Sequence, residues 1–505
     1  MKRVIAGLAL ALLLPTAALA QDAKTIISSA SRAMGADNLT SISYYGAGAN
    51  FNLGQNSNSA NPWPRQNLND YRRSIDFSQP ALRATAVTYA GPVQGGPAAI
   101  GMFQQNVGPM QTAWAQALDI WVSPWGFLKG AAANNATART TGTGATRQHV
   151  VTWSPGNVKA PSGQPYRVVG YINATTNLVN RVETWLEHPI FGDMLVETRY
   201  SGYRDNNGVM FPAEIVQLRA GYPTHQMWIQ GADVNPRNIQ ALVAAPPPAG
   251  RGGGGGGAPA GAPPAGGGGG GQQAPAVASE KLAEGVYRIT GGYVALAIEF
   301  SDHIFIFEGG PQNEARSQAI LAEARRVIPN KPVRYGVLSH HHADHTSGVG
   351  NLVAEGVTIV THEMNKPYFE RALAAPRTLV GDAMARSGKK AVIETVTGDM
   401  RVFQDATRRV ELHLIKGLPH ADGLLVAYLP NERILAFADM FNIPPANAPA
   451  PTEANLAHVI MLDNLERLKL NYETVVSVHV PNPDRPVRRA DIYATVPGRT
   501  PPASN

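Results

Sequence analysis

Residues 339–350 read SHHHADHTSGVG, and the six residues 340–345 alone hold four histidines and one aspartate. The run follows VRYGVLS (333–339), an apolar stretch with the length of a buried strand. Its end delivers His340, His342, Asp344 and His345 in the pattern H-x-H-x-D-H, a candidate metal cluster. In extended backbone, residues i and i+2 point the same way, so His340 and His342 can grip one cation. A tight turn then lets Asp344 and His345 face a second cation, at the roughly 3.5–4 Å spacing of dinuclear sites. Gly348 and Gly350 permit close backbone approach at the start of the next helix.

Six residues cannot complete two coordination shells, so further ligands are expected downstream. Three candidates follow apolar runs: His420 after VELHLIK, Asp439 in AFADMF and His479 in VVSVHVP. All three can converge on the sheet edge that carries the first cluster. A carboxylate such as Asp439 can bridge two cations and offset part of their charge. The chain has no cysteine, so any metal must be held by His, Asp or Glu.

Together these motifs resemble the metallo-β-lactamase superfamily over about residues 281–496. The resemblance implies an αβ/βα four-layer sandwich and two divalent metal ions, zinc first, with iron or manganese as alternatives. It assigns His340, His342 and His420 to one ion, Asp344, His345 and His479 to the other, and Asp439 to both. The chain departs from the family at Ala438-Asp439, where Gly-Asp is usual. It departs again at Ser477-Val478-His479-Val480, where Pro-Gly-His-Gly is usual, and at Glu308-Gly309, where Asp-Gly is common. The ligands survive these changes; the turn holding His479 is the loosest match.

The chemistry expected of such a site is hydrolysis. A hydroxide bridging two zinc ions forms near neutral pH and would attack an ester, lactone or amide-like bond, with Asp344 as the catalytic residue that orients it. The expected substrate is a small molecule. Alternatives are a β-lactamase of the cysteine-free kind, an iron-dependent persulfide dioxygenase, and a non-catalytic periplasmic ligand-binding protein. Asp439 argues against the first, and the complete ligand set argues against the last. His341 stands at an unconstrained position and is expected to be a bystander. His303, His362, His413 and His458 are expected to be structural or surface residues.

The rest of the chain frames this site. At 505 residues it is long enough for two or more domains. Residues 1–20, MKRVIAGLALALLLPTAALA, read as a signal peptide cleaved after Ala20: a basic start, an apolar run and a small-x-small end. The expected location is therefore periplasmic or secreted, with no stable membrane span after cleavage. The net charge of +6 is scattered, and no basic run suggests nucleic acid. Residues 244–279 are a Gly/Pro/Ala-rich linker whose composition cannot bury a core.

The linker separates a β-rich domain, 21–243, of unknown role from the catalytic domain, 280–505. All seven tryptophans precede it, while only His149, His188 and His225 of the thirteen histidines do; these three are expected to be structural. The first domain is α+β: a helix over 23–34, stopped by Gly35, then an antiparallel curved sheet. DNNG (205–208) signals a hairpin. In the second domain, helices are expected over 313–327 and about 453–470. Residues 374–390 are expected to form a flap, and 440–455 a pocket-lining segment. Oligomeric state is not readable from these features.

Overall fold

The computed structural model describes residues 16–59, 63–90, 99–108, 113–156, 158–245, 276–441, 443–445, 448–449, 451–481 and 483–501. Most of the expected signal segment and of the glycine-rich linker lies outside these residues. Among the described residues, no helix is long and apolar enough to cross a membrane.

The N-terminal part is a helix on a large antiparallel sheet. Helix α1 (Thr16–Met34) stops at Gly35, whose φ of +63° is the left-handed end that glycine tolerates. Strands β1 (Ser41–Phe51) and β2 (Arg65–Asp76) pair as the fourth and third strands from one edge of an eleven-stranded sheet. Ile27, Ala30 and Met34 of α1 and Leu68, Tyr71 and Ile75 of β2 belong to one buried cluster. The same cluster takes in Trp114, Trp125, Phe127 and Leu128 from two helices, Trp114–Trp121 and Pro124–Ala133, that the sequence pattern did not announce. The DNNG hairpin is present, with Asn207 and Gly208 at φ +54° and +81°, both left-handed as a primed turn needs.

The C-terminal part has two mixed sheets, one of seven strands and one of six. Short strands buried on both faces explain the continuous apolar runs. In Ile304–Phe307, the side chains of Phe305 and Phe307 enter the core shared by the two sheets, with Leu412, Ala427 and Ala436 opposite. Ile304 and Ile306 face the other way, in a cluster with Ile320, Leu321 and Ala324 of the helix Glu314–Val327. The six-stranded sheet does the same: Ile434 and Ala436 face inward, while Leu435 and Phe437 meet Met461, Leu462 and Leu465 of the helix Leu456–Leu468. Both helices start on an asparagine, Asn313 and Asn455, whose side chain accepts a backbone N–H of the first turn.

Parallel pairing brings strand ends together. Val333–Val337 pairs in parallel with both of its neighbours, and Ile434–Phe437 pairs in parallel with Thr474–Ser477. His340, Asp439 and His479 lie two or three residues beyond these ends. The expected flap is docked instead on the N-terminal sheet. Arg377 donates to the carbonyl oxygens of Pro189 and Ile190, and Thr378 and Leu379 donate to Asp193. Phe191 and Tyr368 pack edge to face across the same boundary, 5.7 Å between ring centres.

Candidate metal centre

Seven side chains predicted as ligands meet in one place. Donor atoms of His340, His342, His420 and Asp439 all lie within 4.8 Å of one another, and so do those of Asp344, His345, Asp439 and His479. Asp439 belongs to both groups. Its Oδ2 lies 2.6 Å from His345 Nε2, 3.2 Å from His340 Nε2 and 3.3 Å from His420 Nε2. Its Oδ1 contacts His479 Nε2.

The donor chemistry fits divalent cations. His420 Nε2 and His340 Nε2 approach to 3.3 Å, as do His479 Nε2 and His345 Nε2. Imidazole nitrogens facing one another satisfy no hydrogen bond unless a proton or a cation sits between them. His342 Nδ1 and Asp439 Oδ2 are buried and lack a well-aligned hydrogen-bond partner among the described residues. Nitrogen and carboxylate donors without sulfur suit zinc and its first-row neighbours.

Neighbouring groups decide which nitrogen of each ring is free. Ser339 Oγ lies 2.9 Å from His340 Nδ1, leaving Nε2 toward Asp439. Glu308 Oε2 lies 2.7 Å from His345 Nδ1, again leaving Nε2 inward. The backbone carbonyl oxygen of Asn56, from the N-terminal part, lies 2.8 Å from His342 Nε2 and leaves Nδ1. Such partners fix ring tautomer and orientation.

Electrostatics divide the cluster. Burial holds His340 down at about 4 and pushes His342 well below the usual histidine range, so both rings are neutral. Burial also opposes a charge on His345, but the carboxylates of Asp439, Glu308 and Asp344 outweigh it and hold the ring well above that range. Burial alone would raise Asp344 and Asp439; contact with His345 outweighs it, and both stay ionised far below the usual carboxylate range. Three carboxylates, of Asp439, Glu308 and Asp344, thus gather around the ring of His345, a pocket of negative charge suited to a metal.

Two contributors carry no motif. Tyr293 donates its hydroxyl to Asp344 Oδ2 at 3.0 Å, and its ring lies 4.2 Å from that of His479. Glu308, fully buried at φ +63°, accepts from Ser339 N at 2.8 Å while holding His345. The Glu-Gly pair was visible only as a departure from the family pattern. His341 is no bystander: it is fully buried, and its Nε2 lies 3.0 Å from Asn56 Oδ1. His362 and His413 are buried against Gly398 O and Glu411 Oε2, outside the cluster.

The family model described as the metallo-beta-lactamase superfamily matches residues 290–479. Among solved structures, a metallo-beta-lactamase from Hirschia baltica is 19% identical, over 43% of this chain and 95% of its own, with a TM-score of 0.32. One from Pontibacter korlensis is 17% identical, over 44% and 97%, also with a TM-score of 0.32. A stereoselective inverting sec-alkylsulfatase from Pseudomonas sp. is 17% identical, over 42% and 39%, with a TM-score of 0.30. No curated protein matches the chain. Residues 290–479, with the whole donor cluster inside or at their edge, are a domain of the metallo-beta-lactamase superfamily.

Proposed function

We propose that the chain is an exported metal-dependent hydrolase that cleaves an ester, lactone or amide-like bond of a small molecule, using two divalent ions. The observation that carries this reading is the pair of donor groups sharing Asp439. His340, His342 and His420 would hold one ion, and Asp344, His345 and His479 the other. Two divalent cations in such a cradle supply Lewis acidity toward a carbonyl and lower the pKa of water.

The chain's own groups provide the rest. Asp344 has both oxygens occupied, Oδ1 by Gln55 Nε2 at 2.9 Å and Oδ2 by Tyr293. Held this way, its carboxylate can orient a nucleophile. Asp344 and His479 keep side-chain exposures of 35% and 32%, whereas His340 has none, so substrate would arrive from their side. The two sheets with helices on their outer faces fit the four-layer arrangement of such hydrolases.

Metal analysis of the purified protein, followed by lactone, β-lactam, thioester and phosphodiester substrates, tests the reading. About two equivalents of zinc, and hydrolysis that disappears in His342→Ala, are the expected results. Iron as the native metal with no hydrolysis would favour a redox role, and unchanged turnover in His342→Ala would defeat the assignment. Export is tested separately, by sequencing the mature N-terminus for Gln21.

A further inference from the structure

Between β1 and β2 the N-terminal sheet sends out residues 52–59, NLGQNSNS, and this loop ends inside the metal centre. Every residue from Gly54 to Ser59 makes a hydrogen bond to the other domain. Gly54 O accepts from Ala343 N at 3.2 Å, and Gln55 Nε2 donates to Asp344 Oδ1 at 2.9 Å. Asn56 meets His342 Nε2 with its carbonyl oxygen at 2.8 Å and His341 Nε2 with its side-chain oxygen at 3.0 Å. Ser57 O accepts from Asp422 N at 2.6 Å, and Asn58 Nδ2 donates to Asp422 Oδ2 at 2.9 Å. Ser59 Oγ donates to Met364 O at 3.1 Å.

The contact with Asn56 has a definite chemical meaning. A carbonyl oxygen can only accept, so His342 Nε2 must carry the proton, and the Nδ1 lone pair is left bare. That Nδ1 is buried without a hydrogen-bond partner among the described residues, and His342 stands in the group with His340, His420 and Asp439. Free imidazole has two neutral tautomers; the carbonyl selects the one that can bind metal through Nδ1. Gln55 acts on the other group, holding the oxygen of Asp344 that Tyr293 does not. Only glycine suits position 54: its φ is +73°, and a Cβ there would sit 2.9 Å from that of Ala343.

We propose that the 52–59 loop is a constituent of the metal centre, with Asn56 and Gln55 as positioning residues, so that the N-terminal domain sets metal affinity. The inference rests on the metal-site reading above. Docking of the two domains and metal binding are then thermodynamically linked: each strengthens the other.

The test uses the full chain, stripped of metal and titrated with zinc against a competing chelator, then with cobalt(II) for its electronic spectrum. Gln55→Met removes the donor to Asp344 and keeps the length of the side chain. It should weaken one of the two bound equivalents by about 10-fold and leave the other unchanged. Gly54→Val drives the loop off Ala343 and should weaken both, by roughly 10- to 100-fold, and alter the cobalt spectrum. Wild-type affinities and spectra in both variants would overturn the proposal, even if their metal-free melting temperatures fell, since that is the mark of a merely structural loop. If Gly54→Val does not fold, the split between the two equivalents in Gln55→Met decides alone. Failure of the wild type itself to bind a divalent metal would sink the site reading and, with it, this one.

Discussion

On one side of Asp439 stand His340, His342 and His420, of which the first two are fully buried and the third is 8% exposed. On the other stand Asp344, His345 and His479, of which Asp344 and His479 are a third open. The first side is all nitrogen, and burial keeps His340 and His342 neutral, ready to donate lone pairs. The second is rich in carboxylate: Glu308, Asp344 and Asp439 all meet the ring of His345. On the proposed reading, the difference separates two jobs: a dry side that would retain one cation, and a wet side where a second cation, water and substrate would meet. Burying both sides would exclude substrate, and opening both would cost the low dielectric that makes charge stabilisation strong.

The residue common to both sides gives the most severe way to break that division. Asp439→Asn keeps the shape but removes the charge that faces four histidines. Both metal equivalents should weaken by more than about 100-fold, above the loss typical of an outer-shell change. Metal content after dialysis measures it; retention of both equivalents would show that Asp439 is not shared.

Single-sided changes should separate the two jobs. His342→Ala strikes the dry side and should leave a protein that holds neither ion well, because Asp439, shared by both donor groups, then loses the buried ion that would fix it. His479→Ala strikes a ring that is a third exposed and should leave one tightly held equivalent with little hydrolysis. Equal loss of metal in the two variants would erase the proposed asymmetry.

How much of this was legible in the sequence follows from distance along the chain. The H-x-H-x-D-H run is local, Asp439 and His479 lie two residues past the ends of apolar strands, and His420 lies six past another, so their convergence could be read from pattern. The loop partners could not be. Gln55 and Asp344 are 289 residues apart, and NLGQNSNS reads as an ordinary polar turn. Tyr293 and Glu308 look like parts of strand ends, and only packing turns them toward the site. In the N-terminal sheet, β2 hid because a register shift between Asn69 and Arg72 breaks its alternation of apolar and polar residues. The run VMFPAEIVQLR (209–219) reads as one strand by its pattern, but it forms two, Val209–Phe211 and Glu214–Arg219, in different sheets, with Pro212 between them.

A histidine outside the metal cluster offers a control for the dry side. His188 is buried, accepts from Ile190 N and Phe191 N, and is held down at about 3 by burial and by the charges of Arg219 and Arg377. The unfolded chain protonates this ring below about 6.5, whereas the folded one does not until about 3. Its contribution is therefore fully present above pH 6.5 and is lost as pH falls toward 3. The slope is up to roughly 1.4 kcal/mol per pH unit. Urea midpoints of wild type and His188→Gln at pH 7 and pH 5 test this. The variant should lose less stability on acidification, and parallel losses would contradict the assignment.

The smallest effect is expected at the wet side's roof. Tyr293 gives one neutral hydroxyl to Asp344 Oδ2, while burial and the Asp344 charge keep that hydroxyl protonated far above neutral pH. Tyr293→Phe removes a single hydrogen bond and keeps the ring packed near His479, 4.2 Å between centres. A hydrogen bond to a charged but partly exposed carboxylate contributes about 1.5 kcal/mol, which corresponds to a loss of about 10-fold. If Asp344 needs the hydroxyl to face the nucleophile, the loss should fall on kcat, with KM and zinc content unchanged. If the hydroxyl instead steadies the second cation, the loss should fall on zinc affinity, and added zinc should restore the rate. The wet side's division of labour predicts the first outcome, because Gln55 still holds the other oxygen of Asp344 when Tyr293 lets go.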